Sequence, residues 1–146
     1  MKYLNYNAMK KVFAFLVFLI GIGCKEHPED HIQFLNGYWE IEKVILSSGE
    51  EHTYTYNEYI DYFKVTDSLI GFRKKLKPSL TGTFETSKDS EQFILKTEND
   101  SLNIYYKTNF SNWKETILSL TENHLKIISN QKNIYFYKLY KPININ

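Results

Sequence analysis

A chain of 146 residues, 42% hydrophobic and 24% charged, has room for one globular core and little more. Its formal net charge of +1 offers no steering field for nucleic acid, and Arg73 is the single arginine available for bidentate phosphate or base recognition, so a nucleic-acid partner is disfavoured. One cysteine, Cys24, excludes an internal disulfide framework and a cysteine-based zinc cluster, while 12 Tyr and 10 Phe suit the pleated surfaces of an all-β protein.

The chain opens on an address. Met9-Lys10-Lys11, an apolar run from Val12, and the small residues Gly21 and Gly23 before Cys24 have the form of a signal peptide. The run, about twelve residues, falls short of the roughly twenty that a spanning helix needs. Ile20-Gly21-Ile22-Gly23-Cys24 resembles the lipobox of bacterial lipoproteins, with Gly21 where leucine is usual. That resemblance implies cleavage before Cys24, lipidation of its thiol and a place in the cell envelope, on the outer membrane. Met9 is the expected initiator. Residues 24–34 are polar and charged around Pro28 and read as a tether; the acidic residues behind the cysteine resemble a surface-export signal.

From residue 35 the pattern is of strands. Asn36-Gly37 is a turn signal, and the alternation that follows puts Trp39, Ile41 and Ile45 on one face with Glu40 and Glu42 on the other. Residues 47–52 read as a loop, and 53–59 as a strand extension or a lid. Residues 60–66 and 69–74 form a hairpin, 74–78 a basic loop, and 80–86 a strand with Gly82 at a bulge. Strands over 91–97, 102–108, 113–120, 125–129 and 134–140 follow, with turns every eight to twelve residues. The count is about nine, joined by connections short enough to force antiparallel neighbours. An up-and-down barrel of 8–9 strands is the expected fold over residues 35–141, before a tail of 142–146, with a sandwich or half-open barrel as the alternative.

Gly37-Tyr38-Trp39 resembles the opening of the lipocalin and calycin pattern, and the run Tyr135 to Tyr140 is similar to the last strand of bacterial lipocalin-like lipoproteins. The resemblance implies that Gly37 and Trp39 form the barrel floor, with Lys138 or Lys141 over the tryptophan in place of the usual arginine.

Seven aromatics, Tyr62, Phe72, Phe84, Phe93, Tyr106, Trp113 and Phe136, are the candidate lining of an apolar pocket; the bland reading is that they fill the barrel. The four histidines do not assemble, since His27 and His31 flank a proline-containing tether and His52 and His124 stand alone. No phosphate loop, serine elbow or calcium loop appears. No metal, cofactor or catalysis is expected. Asp67-Ser68-Leu69 and Asp100-Ser101-Leu102 resemble an O-glycosylation acceptor pattern, though a turn also wants Asp-Ser. The expected function is non-catalytic binding of a small hydrophobic molecule by a lipid-anchored monomer. The alternative is a solid barrel that binds a protein partner through loops 47–61 and 73–79.

Overall fold

The computed structural model describes residues 28–86 and 88–142. The lipidation candidate Cys24, the signal segment and His27 lie outside the described residues. Ten strands follow a 3-10 helix over Pro28–Leu35: β1 Gly37–Ile45, β2 Glu51–Thr53, β3 Ile60–Val65, β4 Ile70–Pro78, β5 Phe84–Thr86, β6 Glu91–Glu98, β7 Ser101–Lys107, β8 Asn112–Leu120, β9 His124–Ser129 and β10 Ile134–Leu139. All pairings are antiparallel. The ten-stranded sheet runs β10-β9-β8-β7-β6-β4-β3-β1-β2 with β5 beside β4, and a further pairing of β10 with β1 closes it. Without the short arms β2 and β5, eight strands form the closed barrel.

The strands form where period two buries alternate residues. In β6, Phe93 and Leu95 are buried and Ile94 and Lys96 exposed; in β9, Leu125 and Ile127 are buried. Turns are built from residues that accept positive φ: Asn99 and Asp100 lie at 50° and 59°, the pattern of a two-residue hairpin loop. Gly82, expected at a bulge, lies at φ 79° in a turn where its N–H donates to the Ser79 carbonyl. Only Phe84–Thr86 of the 80–86 stretch is a strand.

The two ends of the barrel differ. At one end, Ile32, Phe34 and Leu35 of the 3-10 helix pack on the core, and the helix touches β3, β7 and β8. The tether expected over 24–34 is therefore folded from Pro28 onward. Proline is tolerated there because the first helical position needs no donated N–H. Gly37 has φ 142°, a conformation open to glycine, and the Asn36 side chain accepts from the Val65 N–H at 2.6 Å. Trp39 is 0% exposed and its indole N–H donates to the Leu35 carbonyl at 3.0 Å, so the tryptophan and the helix hold each other in place as the floor.

β1 carries a register shift between Ile41 and Lys43. Trp39 and Ile41 pair with the inward Leu139 and Tyr137, but beyond the shift it is Val44, opposite Tyr135, that faces in. Ile45, expected to share the face of Trp39 and Ile41, pairs instead with Ile134. The expected basic loop at 74–78 is the second half of β4, with Leu76 buried.

Candidate functional site

Opposite the floor, the barrel opens into a cleft of about 1350 Å³. Arg73 and Lys75 of β4, Glu91 and Phe93 of β6, Tyr106 of β7 and Trp113 of β8 line its inner side, and Thr108, Asn109 and Phe110 of the β7–β8 connection rim it. The cleft continues onto the outer face beside Ile94 and Tyr105, which alternate with inward neighbours.

Four aromatic rings climb the inner wall. Phe63 and Phe93 have centroids 6.2 Å apart, Phe93 and Tyr106 meet edge to face at 5.5 Å, and Tyr106 stacks on Trp113 at 4.7 Å. Phe63 and Phe93 belong to strands that β4 separates, and they meet because Gly71 stands between them. A Cβ on Gly71 would lie 2.6 Å from the Phe93 ring and 2.3 Å from the Lys64 carbonyl oxygen.

Above this wall sits a charged layer. The Arg73 side chain is buried, its Nε donating to Glu91 Oε2 at 2.6 Å and its Nη1 to Glu115 Oε2 at 3.3 Å, while its guanidinium lies 4.7 Å from the Tyr106 ring centre and 5.8 Å from that of Phe63. Lys75 sits 2.8 Å from the Asp61 carboxylate, a direct cross-strand pair. Asp61 is 1% exposed; both its oxygens stand near the ammonium, but only Oδ2 is met at a hydrogen-bonding angle, leaving Oδ1 without a directed donor. The Tyr106 hydroxyl, on a residue 2% exposed, lies against the Glu115 carboxylate. Burial pushes the Glu115 carboxyl above its ordinary range, with Arg73 and the Tyr106 hydroxyl pulling against it. Burial likewise raises the Tyr106 phenol, Arg73 again opposing and Glu115 adding to the rise. Arg73 itself stays firmly charged: burial works against its charge but is outweighed by Tyr106, Glu115 and Asp61 around it.

Of the seven aromatics expected to line the interior, Phe93, Tyr106 and Trp113 face in. Tyr62, Phe72, Phe84 and Phe136 do not. Tyr62 alternates with the inward Asp61 and Phe63, and Phe72 with the inward Gly71 and Arg73, so period two turns both outward. With Tyr38, Phe84 and Tyr140 they form an outer stripe: Tyr38 lies 4.8 Å from both Tyr62 and Phe84, Tyr62 lies 6.0 Å from Phe72, and Phe84 meets Tyr140 at 6.3 Å. Phe136 sits outside between Lys43 and Lys126, whose ammonium groups are 4.8 and 4.9 Å from its ring centre. Lys138 also faces out, 3.5 Å from Glu40, and does not cover Trp39; the Leu35 carbonyl takes the polar edge of that ring instead.

Sequence reasoning weighed Asp61 as half of an acid pair with Glu58 and Arg73 as part of a basic loop, took both for solvated groups, and left them and Glu115 out of the candidate lining. The signal was present in the single arginine of the chain, set one strand period from Gly71 and Lys75, which puts all three on one face. Among the described residues no group of three or more His, Cys, Asp or Glu is arranged to hold a metal ion.

A family model for a lipocalin-like domain matches residues 35–127, from the end of the 3-10 helix into β9. Two solved structures resemble the chain: a lipocalin-like protein from Bacteroides uniformis, at 7% identity and a TM-score of 0.46, and an uncharacterized protein from Bacteroides eggerthii, at 11% and 0.47. Each alignment covers 73% of this chain and 99% of the other. No curated protein matches. With the model spanning more than half of the sequence and the strands closed β1 to β10, the chain belongs to the lipocalin-like family.

Proposed function

We propose that the protein is a non-catalytic, lipid-anchored binding protein of the cell envelope, on the outer membrane, which takes a small apolar or amphiphilic molecule into the open end of its barrel as a monomer. The observation that carries this reading is the cleft of about 1350 Å³ with Phe93, Tyr106 and Trp113 on its inner wall. Part of that volume lies over the outer face beside Ile94 and Tyr105; at the mouth the half-buried Trp113 and the exposed Phe110 offer apolar area beside a few fixed polar groups, with Phe93 and Tyr106 closing the wall behind them. The charged layer refines the ligand. Its paired ions beside the Trp113 ring give an amphiphile's polar end a place next to its apolar one.

Titration with the neutral fluorophore N-phenyl-1-naphthylamine tests the binding. Saturable enhancement of its emission, lost in a folded Trp113→Ala variant, is the expected result; a linear, unsaturable response sinks the reading. The anchor is tested apart from the cleft by metabolic labelling with a fatty-acid analogue. Cys24→Ala should carry no label, and a labelled variant would refute lipidation at this residue.

A further inference from the structure

We infer that the cleft selects ligands by charge and takes an amphiphile whose polar end is a cationic donor, an ammonium or amidinium group, rather than a fatty-acid-like carboxylate. This rests on the cleft being a binding site.

Five charged groups face inward. By register these are the carboxylates of Asp61, Glu91 and Glu115 and the cations Arg73 and Lys75, three negative groups against two positive. The other lysines at the cleft, Lys107 and Lys114, stand on the outer face: Lys107 pairs with Gln92 and Asn112, and Lys114 lies over the outward Tyr105 ring at 5.8 Å. Exposed charges of that kind are screened, as are Glu91 and Lys75 in part at 40% and 56% exposure, whereas Asp61, Glu115 and Arg73 lie deep and keep the surplus of one negative charge.

The inner cations are also already engaged. Arg73 has Glu91 on its Nε edge and Glu115 on Nη1, with aromatic rings against its guanidinium. An incoming carboxylate would meet an arginine that two carboxylates already hold, and would add a fourth negative charge to a layer with a surplus of one. The acidic groups point the same way. Asp61, Glu115 and the Tyr106 hydroxyl are buried behind the wall and set the sign of the field there, while Glu91 lines the cleft and is within reach of a ligand N–H. One face of Tyr106 is stacked by Trp113, which itself lines the cleft and is only half-buried, so its ring is available to a cation.

The experiment uses the full chain and three probes of equal chain length, octylammonium, 1-octanol and octanoate, at neutral pH below their micelle thresholds. The readout is tryptophan fluorescence, with Trp113→Phe assigning the signal to the cleft rather than to Trp39. Octylammonium should bind on the order of tenfold more tightly than octanol, as a charge-assisted hydrogen bond or a partly desolvated cation–π contact supplies, with octanoate weakest. Glu115→Gln should bring octylammonium down toward the alcohol. Octanoate binding as well as octylammonium, or all three binding alike, overturns the charge selection and leaves the cleft reading standing. Failure of all three to give a saturable signal overturns the cleft reading and this inference with it. Because the comparison is made first on the unsubstituted chain, it decides the sign even if Glu115→Gln does not fold.

Discussion

The two ends of this barrel solve opposite problems with similar materials. At the closed end an aromatic ring is buried to give stability: Trp39 is 0% exposed, its one polar atom satisfied by the Leu35 carbonyl and the rest enclosed by Leu35 and the inner faces of the strands. At the open end the aromatics keep company with ions. Tyr106 lies between Trp113 and Arg73, with its hydroxyl against the buried Glu115 carboxylate. Holding a carboxylate in a buried site costs stability, as the upward push on Glu115 shows. The open end thus gives up stability that the closed end supplies, which is the distribution expected where one end is scaffold and the other is site.

The contrast can be broken most severely at the floor. Trp39→Ala should cost about 3–5 kcal/mol in urea denaturation, since it empties a large buried volume and releases the 3-10 helix. Arg73→Met comes next, at about 3 kcal/mol near neutral pH, because it strands the buried Glu115 without its cation. The same carboxylate gives the open end a pH signature. Its pKa is raised in the folded state, so its favourable contribution is complete below the ordinary glutamate range and is lost as the pH rises through the raised value. Glu115→Gln should therefore gain on the parent as the pH rises from the ordinary glutamate range toward neutrality; a stability difference that stays flat across that interval would show that Glu115 is not held up by burial.

Gly71→Ala tests the junction between the two ends. The added methyl collides with Phe93 and the Lys64 carbonyl, and overpacking of this kind costs about 1–3 kcal/mol, read as a lowered denaturation midpoint. At the mouth the sign reverses. Lys132 holds φ 66° in the β9–β10 turn, and Lys132→Gly should raise stability by about 0.5–1 kcal/mol. The smallest effect belongs to Phe110→Ser, within about 0.5 kcal/mol of the parent, because the ring is 98% exposed on the rim; a larger loss would mean that the rim is part of the core after all.

How far the sequence could be read depends on the kind of information each feature needs. Strands, turns and the closed antiparallel architecture follow from period two and turn chemistry, which are local, and so does the inward aim of Trp39 and Ile41. Which face an aromatic takes was legible only where its neighbours are polar. Tyr62-Phe63, Tyr105-Tyr106 and Tyr135-Phe136-Tyr137 put rings on both faces at once, and nothing local says which face is inside. Tyr62 and Phe136 were lost that way. The one-residue shift after Ile41 exchanges Ile45 for Val44, and a bulge of that kind is fixed by the partner strand β10 rather than by β1 itself. The 3-10 helix was hidden by its charged residues and proline, although Ile32, Phe34 and Leu35 carried the apolar signal. The charged layer was missed for a different reason: Asp61, Glu91 and Glu115 look like ordinary solvated acids until the fold brings them to Arg73, from three separate strands.

The pairing of β1 with β10 has a consequence in time. Trp39 finds its cross-strand partner in Leu139, almost the whole domain later in the chain, so the wall that closes the barrel is the last to become available during synthesis. Until Leu139 has emerged, the growing sheet has two open edges and an uncovered aromatic face, and folding must await a contact of large sequence separation. The order of the strands thus places the closing contact among those of largest sequence separation, which favours slow folding over fast.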